Sequence, residues 1–203
     1  MSYREFLKHC NPTSDDPVEV GGYESVEARD IRLNTIVENL TQEKLEPGLS
    51  LADIGCGTGH FAIRLKELFN FESVVLYDLK QYFSPEMMRK AYGSNYIFIQ
   101  GNYIDADGPI VDVSISTGAF NYIPISEQYA FIKNMFKMTR KLIVLETNIQ
   151  SPQTSWRTGV YNPSLDSIYN IFYELYLQYG GLRKVEVSLI KKYTAIFTVS
   201  YGE

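Results

Sequence analysis

Leu51-Ala52-Asp53-Ile54-Gly55-Cys56-Gly57-Thr58-Gly59-His60-Phe61-Ala62 decides how this chain is read. An apolar run ends in a carboxylate, three alternating glycines follow, and a helical pattern begins at once. Glycines let the backbone turn sharply and approach a ligand where a side chain would collide, and a helix start offers unpaired N–H groups to that ligand. The stretch therefore predicts a strand, a nucleotide-cofactor loop and a helix. Spacing narrows the ligand. A dinucleotide fingerprint needs its third glycine at position 60, where His60 stands, and no Lys-Ser/Thr pair follows the glycines as a P-loop requires.

A second short apolar run, Ser73-Val74-Val75-Leu76-Tyr77-Asp78, again ends in an acid. It lies at the distance expected of the neighbouring parallel strand in a βαβ unit. An acid there can accept hydrogen bonds from both ribose hydroxyls of an adenosine, at roughly 1.5–3 kcal/mol for each charged bond. The alternative role for Asp78 is to cap a nearby turn.

Outside these segments the pattern alternates between helix and strand. Leu33, Ile36, Val37 and Leu40 share one helical face in a segment from Ser25 that stops at Glu46-Pro47-Gly48. From His60, the residues Phe61, Leu65, Leu68 and Phe69 form another. Ser84-Pro85 starts a short helix to about Ala91. Tyr96–Ile99, Val111–Ser116 and Leu142–Leu145 are strands, and a helix from Ser126 turns Ile132, Met135 and Phe136 inward. Asn162-Pro163 is a cap and first-turn pair for a helix with the stripe Leu165, Ile168, Phe172, Leu175 and Tyr179, ended by Gly180-Gly181. Strands near Lys184–Leu189 and Tyr193–Tyr201, with only Ile190, Lys191 and Lys192 between them, make a hairpin. Strand and helix in alternation predict an α/β fold with helices on both faces of a parallel sheet.

Bulk properties set limits. The 203 residues, 45% hydrophobic, suit one domain over 1–203, with a helical cap segment at 1–47 and the core at 48–203. Nineteen basic against 24 acidic side chains leave a net charge of −5, so no general basic surface gathers a polyanion and nucleic acid is disfavoured as a partner. Cys10 and Cys56 cannot build a disulfide framework, and no Cys/His cluster suggests a metal. Neither an apolar leader nor a membrane-length run is present, so a cytoplasmic protein away from membranes is the default expectation.

With these residues in hand, D-x-G-x-G-x-G from Asp53 to Gly59 resembles the class I S-adenosylmethionine (SAM) dependent methyltransferases. The resemblance extends to Tyr23, Arg29, Arg32 and the stretch Ser116-Thr117-Gly118-Ala119-Phe120-Asn121-Tyr122, which look like those of small stand-alone members. It implies a doubly wound, mostly parallel seven-stranded Rossmann-like sheet ending in an antiparallel hairpin. SAM is the implied cofactor, with Asp53, Gly55, Gly57 and Gly59 under its methionine part and Asp78 on the ribose. Asn102 stands where the family usually places an acid against the adenine amine, with Tyr103 beside it, and Thr117 adds a contact at the next strand end. Arg29 and Arg32, one helical turn apart, could pair with the methionine carboxylate; the alternative is a solvated face paired with Glu27 or Asp30.

His60 and Tyr122 are the catalytic candidates, the first as the histidine beside the cofactor, the second because many small-molecule methyltransferases carry a histidine at its position. No Asn/Asp-Pro-Pro-aromatic motif and no Pro-Cys nucleophile occurs. The expected function is methyl transfer to an oxygen or nitrogen of a small-molecule acceptor. Alternatives are a non-catalytic SAM-binding or regulatory protein and a nucleic-acid methyltransferase. The acceptor is expected to enter between Tyr23, Tyr122 and the loop that holds Trp156 and Arg157.

Overall fold

A computed structural model of the chain describes residues 26–82, 89, 93–105, 107–149, 161–191 and 194–201. The elements, in chain order, are α1 (Val26–Gln42), β1 (Ser50–Ile54), α2 (His60–Phe69), β2 (Ser73–Asp78), β3 (Tyr96–Gln100), β4 (Val111–Thr117), α3 (Ile125–Met138), β5 (Thr139–Asn148), α4 (Leu165–Tyr179), β6 (Leu182–Lys191) and β7 (Thr194–Tyr201). Short 3-10 turns occupy Tyr103–Asp105 and Phe120–Tyr122. The expected helix after Ser84, together with His9, Cys10, Tyr23, Trp156, Arg157 and Tyr193, lies outside the described residues.

The strands join in the order β3-β2-β1-β4-β5-β7-β6. Pairings from β3 through β5 are parallel, while β7 runs antiparallel to both β5 and β6. This is the doubly wound, mostly parallel sheet with a reversed final hairpin that the sequence implies. Both faces are covered, which explains why β2 reads as an apolar run; β4 alternates, and its buried Ser114 and Ser116 are satisfied by Thr139 Oγ1 and the Ile54 carbonyl. On one face Leu33, Ile36 and Leu40 of α1 and Phe61 and Leu65 of α2 pack on Leu51, Val74, Val113, Ile115 and Val144. On the other, Phe131, Ile132 and Met135 of α3 and Ile168, Phe172 and Leu175 of α4 cover Ala52, Val75, Ile143, Leu145 and Phe197.

Three boundaries differ from the sequence expectation. β5 is longer than Leu142–Leu145 because its polar end is satisfied inside the fold: Thr139 Oγ1 donates to the Met135 carbonyl, and Glu146 accepts the Gly118 N–H. The cap of α4 is Ser164, whose Oγ accepts the Ser167 N–H at 3.0 Å, not Asn162. Asn162 is drawn off to accept from Asn121 Nδ2 at 3.0 Å. In the hairpin, pairing continues to Lys191, opposite Thr194, beyond the expected stop at Leu189. Among the described residues, no helix is long and apolar enough to cross a membrane.

Candidate active site

The order β2-β1-β4 places a switch point at the carboxyl end of β1, where chain connections leave toward opposite edges and open α/β sheets bind ligands. The glycine loop lies there. Gly55 and Cys56 both donate their N–H to the Tyr77 carbonyl at 2.8 and 3.0 Å, which ties the loop to β2. Gly55, Gly57 and Gly59 all have positive φ, at 74°, 54° and 73°, so each needs the freedom of glycine. For Gly55 a further reason comes from the protein itself: a Cβ there would lie 2.3 Å from that of Ala119. Close approach at this glycine is to the turn after β4. Gly59 is the residue from which α2 starts.

Asp78 is buried and joins the second strand to the loop. Its Oδ2 accepts the Gly57 N–H at 2.8 Å and its Oδ1 the Lys80 N–H at 3.2 Å. The turn-capping role weighed for this acid is thus real, and it coexists with a place on the wall of a cavity of about 340 Å³. The cavity's polar lining includes Gly55, Asp78, Gly101, Asn102 and Glu127, and its apolar and aromatic lining Ile54, Tyr103, Ile104, Tyr122 and Phe131. Its size and mixed lining suit a small ligand with one flat apolar part and one hydroxylated part.

Asn102 is exposed and uses its Oδ1 to accept the Ile104 N–H at 3.3 Å, holding the turn that carries Tyr103. The Tyr103 ring is buried edge-on against Tyr77 and Phe131, at centroid distances of 5.0 and 5.4 Å. It meets the cavity from the core. Thr117 ends β4 opposite Glu146. Tyr122 is half-buried in the turn after β4, its N–H bonded to the Ala119 carbonyl.

Asp53 points elsewhere. Its side chain is 1% exposed, sits at the start of α2 with the Ala62 N–H directed at it, and leaves Oδ1 without a hydrogen bond. Burial, and then the nearby Asp78 charge, push its pKa up to about 7. Cys56, buried beside both acids, has its thiol held well above the usual range for the same reasons. A carboxyl raised in the folded state binds a proton that the unfolded chain has already lost between about pH 4 and 7. Its contribution to stability is therefore present at low pH and is lost as pH rises through 7. We expect Asp53→Asn to leave stability near wild type at pH 4 and to raise it at pH 8. Urea midpoints that fall in parallel for both proteins over that range would contradict this.

The two candidate catalytic residues are not brought together. Tyr122 lines the cavity, whereas His60 lies outside it, at the start of α2 toward Arg29 of α1. Burial, and then the Arg29 charge, lower the His60 pKa, so the imidazole is neutral at pH 7. The paired arginines also part company. Arg29 bonds Asp30 at 2.6 and 2.8 Å, the solvated alternative, while Arg32 reaches 3.3 Å from Glu146, a partner in neither expectation.

Two further residues carry the site without having been singled out in the sequence. Glu146 is one, and its signal is an acid placed directly after the apolar run Leu142–Leu145. Asn121 is the other: its Nδ2 donates to Asn148 O and Asn162 Oδ1, its Oδ1 accepts the Asn148 N–H, and its carbonyl accepts the Tyr161 N–H. Nothing local marks it, since its partners are 27 and 41 residues away.

Residues 51–141 match the family model described as a methyltransferase domain. No curated protein sequence matches the chain significantly. Among solved structures, the chain is similar to the N-methyltransferase NodS from Bradyrhizobium japonicum WM9 in complex with S-adenosyl-L-homocysteine (TM-score 0.73, 14% identity, 99% of this chain and 98% of that one). It is similar to magnesium protoporphyrin IX methyltransferase from Synechocystis PCC 6803 with bound SAH (0.68, 18%, 99% and 96%). It is also similar to 1,6-didemethyltoxoflavin-N1-methyltransferase from Burkholderia thailandensis with bound 1,6-didemethyltoxoflavin and S-adenosylhomocysteine (0.62, 10%, 87% and 90%).

Proposed function

We propose, for a chain that carries a class I methyltransferase domain at residues 51–141, that it transfers a methyl group from SAM to an oxygen or nitrogen of a small-molecule acceptor. One observation carries this: the positive-φ glycine loop and Asp78 are hydrogen-bonded to each other on the wall of a cavity at the switch point of the sheet. The residues present fit SAM. Asp78 is the acid for the ribose hydroxyls; Asn102, Tyr103, Ile104 and Phe131 offer one amide edge and apolar faces for the adenine; Gly55 lines the cavity, and Gly57, Gly59 and Thr117, which do not, are assigned to the methionine end by their place in the loop and at the end of β4. Asp53 acts beneath the loop, holding the start of α2. When bound, SAM would supply a methyl group on a cationic sulfur, open to in-line attack by an acceptor lone pair with the thioether SAH as leaving group and the acceptor proton passing to solvent.

Such a displacement needs alignment more than covalent help, and alignment can be worth about 7–11 kcal/mol of the barrier. Tyr122, which lines the cavity from the turn after β4, is the residue we assign to the acceptor side. Support for a small acceptor comes from the net charge of −5 and similar structures named for small-molecule substrates. Among the described residues, no histidine lines the cavity, and His60 lies outside it.

The test begins with calorimetry of SAM and SAH on the full chain, followed by turnover of SAM to SAH with a small-molecule metabolite extract. Binding of both and extract-dependent SAH are expected; absence of binding would overturn the proposal. In the same assay Tyr122→Ala should lower kcat/KM for the acceptor by about tenfold or more, the factor that 1.4 kcal/mol represents, with SAM affinity little changed. Equal losses in both would remove Tyr122 from the acceptor side.

A further inference from the structure

Glu146 is fully buried at the carboxyl end of β5, between Thr117 of β4 and Ile196 of β7 in the sheet. Removing a carboxylate from water costs several kcal/mol unless partners repay it. Its partners come from two separate parts of the chain. Oε2 accepts the Gly118 N–H at 2.7 Å. Oε1 faces Nη1 of Arg32 on α1 at 3.3 Å, close enough for charge attraction but without hydrogen-bond geometry.

The contact chain continues past Gly118. Gly118 has φ of 70° and leads into Ala119, whose Cβ occupies the space that a side chain on Gly55 would need. Gly55 and Ala119 both line the cavity. From α1 to the glycine loop there is thus an unbroken path: Arg32, Glu146, Gly118, Ala119, Gly55.

We propose that Glu146 is a positioning residue that couples the placement of α1 to occupancy of the cofactor cavity. Its carboxylate holds α1 by charge on one side and the turn after β4 by a hydrogen bond on the other, and that turn seats the glycine loop. A ligand that settles Gly55 and Ala119 therefore also settles α1, and by linkage a displaced α1 weakens the ligand. The identity of the ligand as SAM or SAH rests on the function proposed above; the coupling itself does not. Glutamine in place of Glu146 keeps the shape but cannot serve both partners. Its one oxygen can accept from Gly118 or face Arg32, and the amide N–H groups then meet a donor on the other side.

Hydrogen exchange read by mass spectrometry on the full chain tests this, with wild type, Glu146→Gln and Arg32→Gln compared with and without SAH. Without ligand, Glu146→Gln should speed exchange about tenfold in residues 27–38 and 117–120 while β1 and β7 stay as in wild type. Adding SAH to wild type should slow exchange in the glycine loop and in α1 together; in the variant the loop should still be protected and α1 should not. Arg32→Gln removes the charge that Oε1 faces and should speed exchange in residues 27–38 in the same way, so the test stands if Glu146→Gln fails to fold. The double variant should do no more than either single one, as members of one path behave. Exchange in α1 equal to wild type, or raised uniformly over the whole chain, would overturn the coupling. Wild type that shows no protection anywhere with SAH would instead overturn the cofactor assignment, and the ligand-free comparison would still decide the coupling.

Discussion

Gly55→Ala is expected to lower the stability of this protein by about 2–5 kcal/mol. A non-glycine residue in the left-handed region costs roughly 1–2 kcal/mol, and overpacking a site with no room adds about 1–3. Both apply here, since φ is 74° and the new Cβ would sit 2.3 Å from that of Ala119. Against a total of about 5–15 kcal/mol for a typical domain, this is a large share. The second component can be isolated. Gly55→Ala combined with Ala119→Gly should recover the packing part and leave the backbone part, so urea unfolding should place the pair between wild type and the single variant. A single variant as stable as wild type would mean that the loop relaxes freely, and no recovery in the pair would mean that Ala119 is not the obstacle.

Asp78→Ala carries the largest expected effect on ligand binding. The carboxylate shapes the loop through Gly57 and, in the proposed function, also takes the ribose. Losing both should weaken SAH by about a hundredfold or more, corresponding to about 2.8 kcal/mol. Asp78→Asn keeps one acceptor for the Gly57 N–H and should cost about tenfold, or about 1.4 kcal/mol. Calorimetry that finds the alanine variant folded and binding as tightly as wild type would remove Asp78 from the site. The Asp78 charge also helps to keep the Asp53 carboxyl protonated up to about pH 7. The asparagine variant should therefore also end the fall of stability toward neutral pH at a pH below 7.

What could be read from the sequence follows the range of the forces involved. The glycine loop, the carboxylates ending β1 and β2, the inward stripe of α3 and the closing hairpin are local patterns, and each stands near its expected position. Where the outcome depended on a distant partner, local pattern was insufficient. Asn162-Pro163 has the form of a helix start, yet Asn121 claims the Asn162 side chain and Ser164 caps the helix. Arg32 has acidic neighbours in its own helix and bonds instead to Glu146, over a hundred residues away in sequence. Gly55 carries a glycine signature associated with ligands, but a protein side chain fills the space beside it. Tyr103 sits beside the expected adenine contact, and its ring is nonetheless core, since Tyr77 and Phe131 enclose it.

Asn121 holds the chain on both sides of residues 149–160: Asn148 is bonded to its side chain, and Tyr161 and Asn162 to its backbone and side chain. The two ends of that segment are thus fixed by one residue, independently of what lies between them. For a segment closed in this way, the entropic cost of length grows only logarithmically, about 0.6 kcal/mol for each doubling. The closure at Asn148 and Tyr161–Asn162 is accordingly a property of Asn121, and added chain length between these points costs little to the fold they anchor.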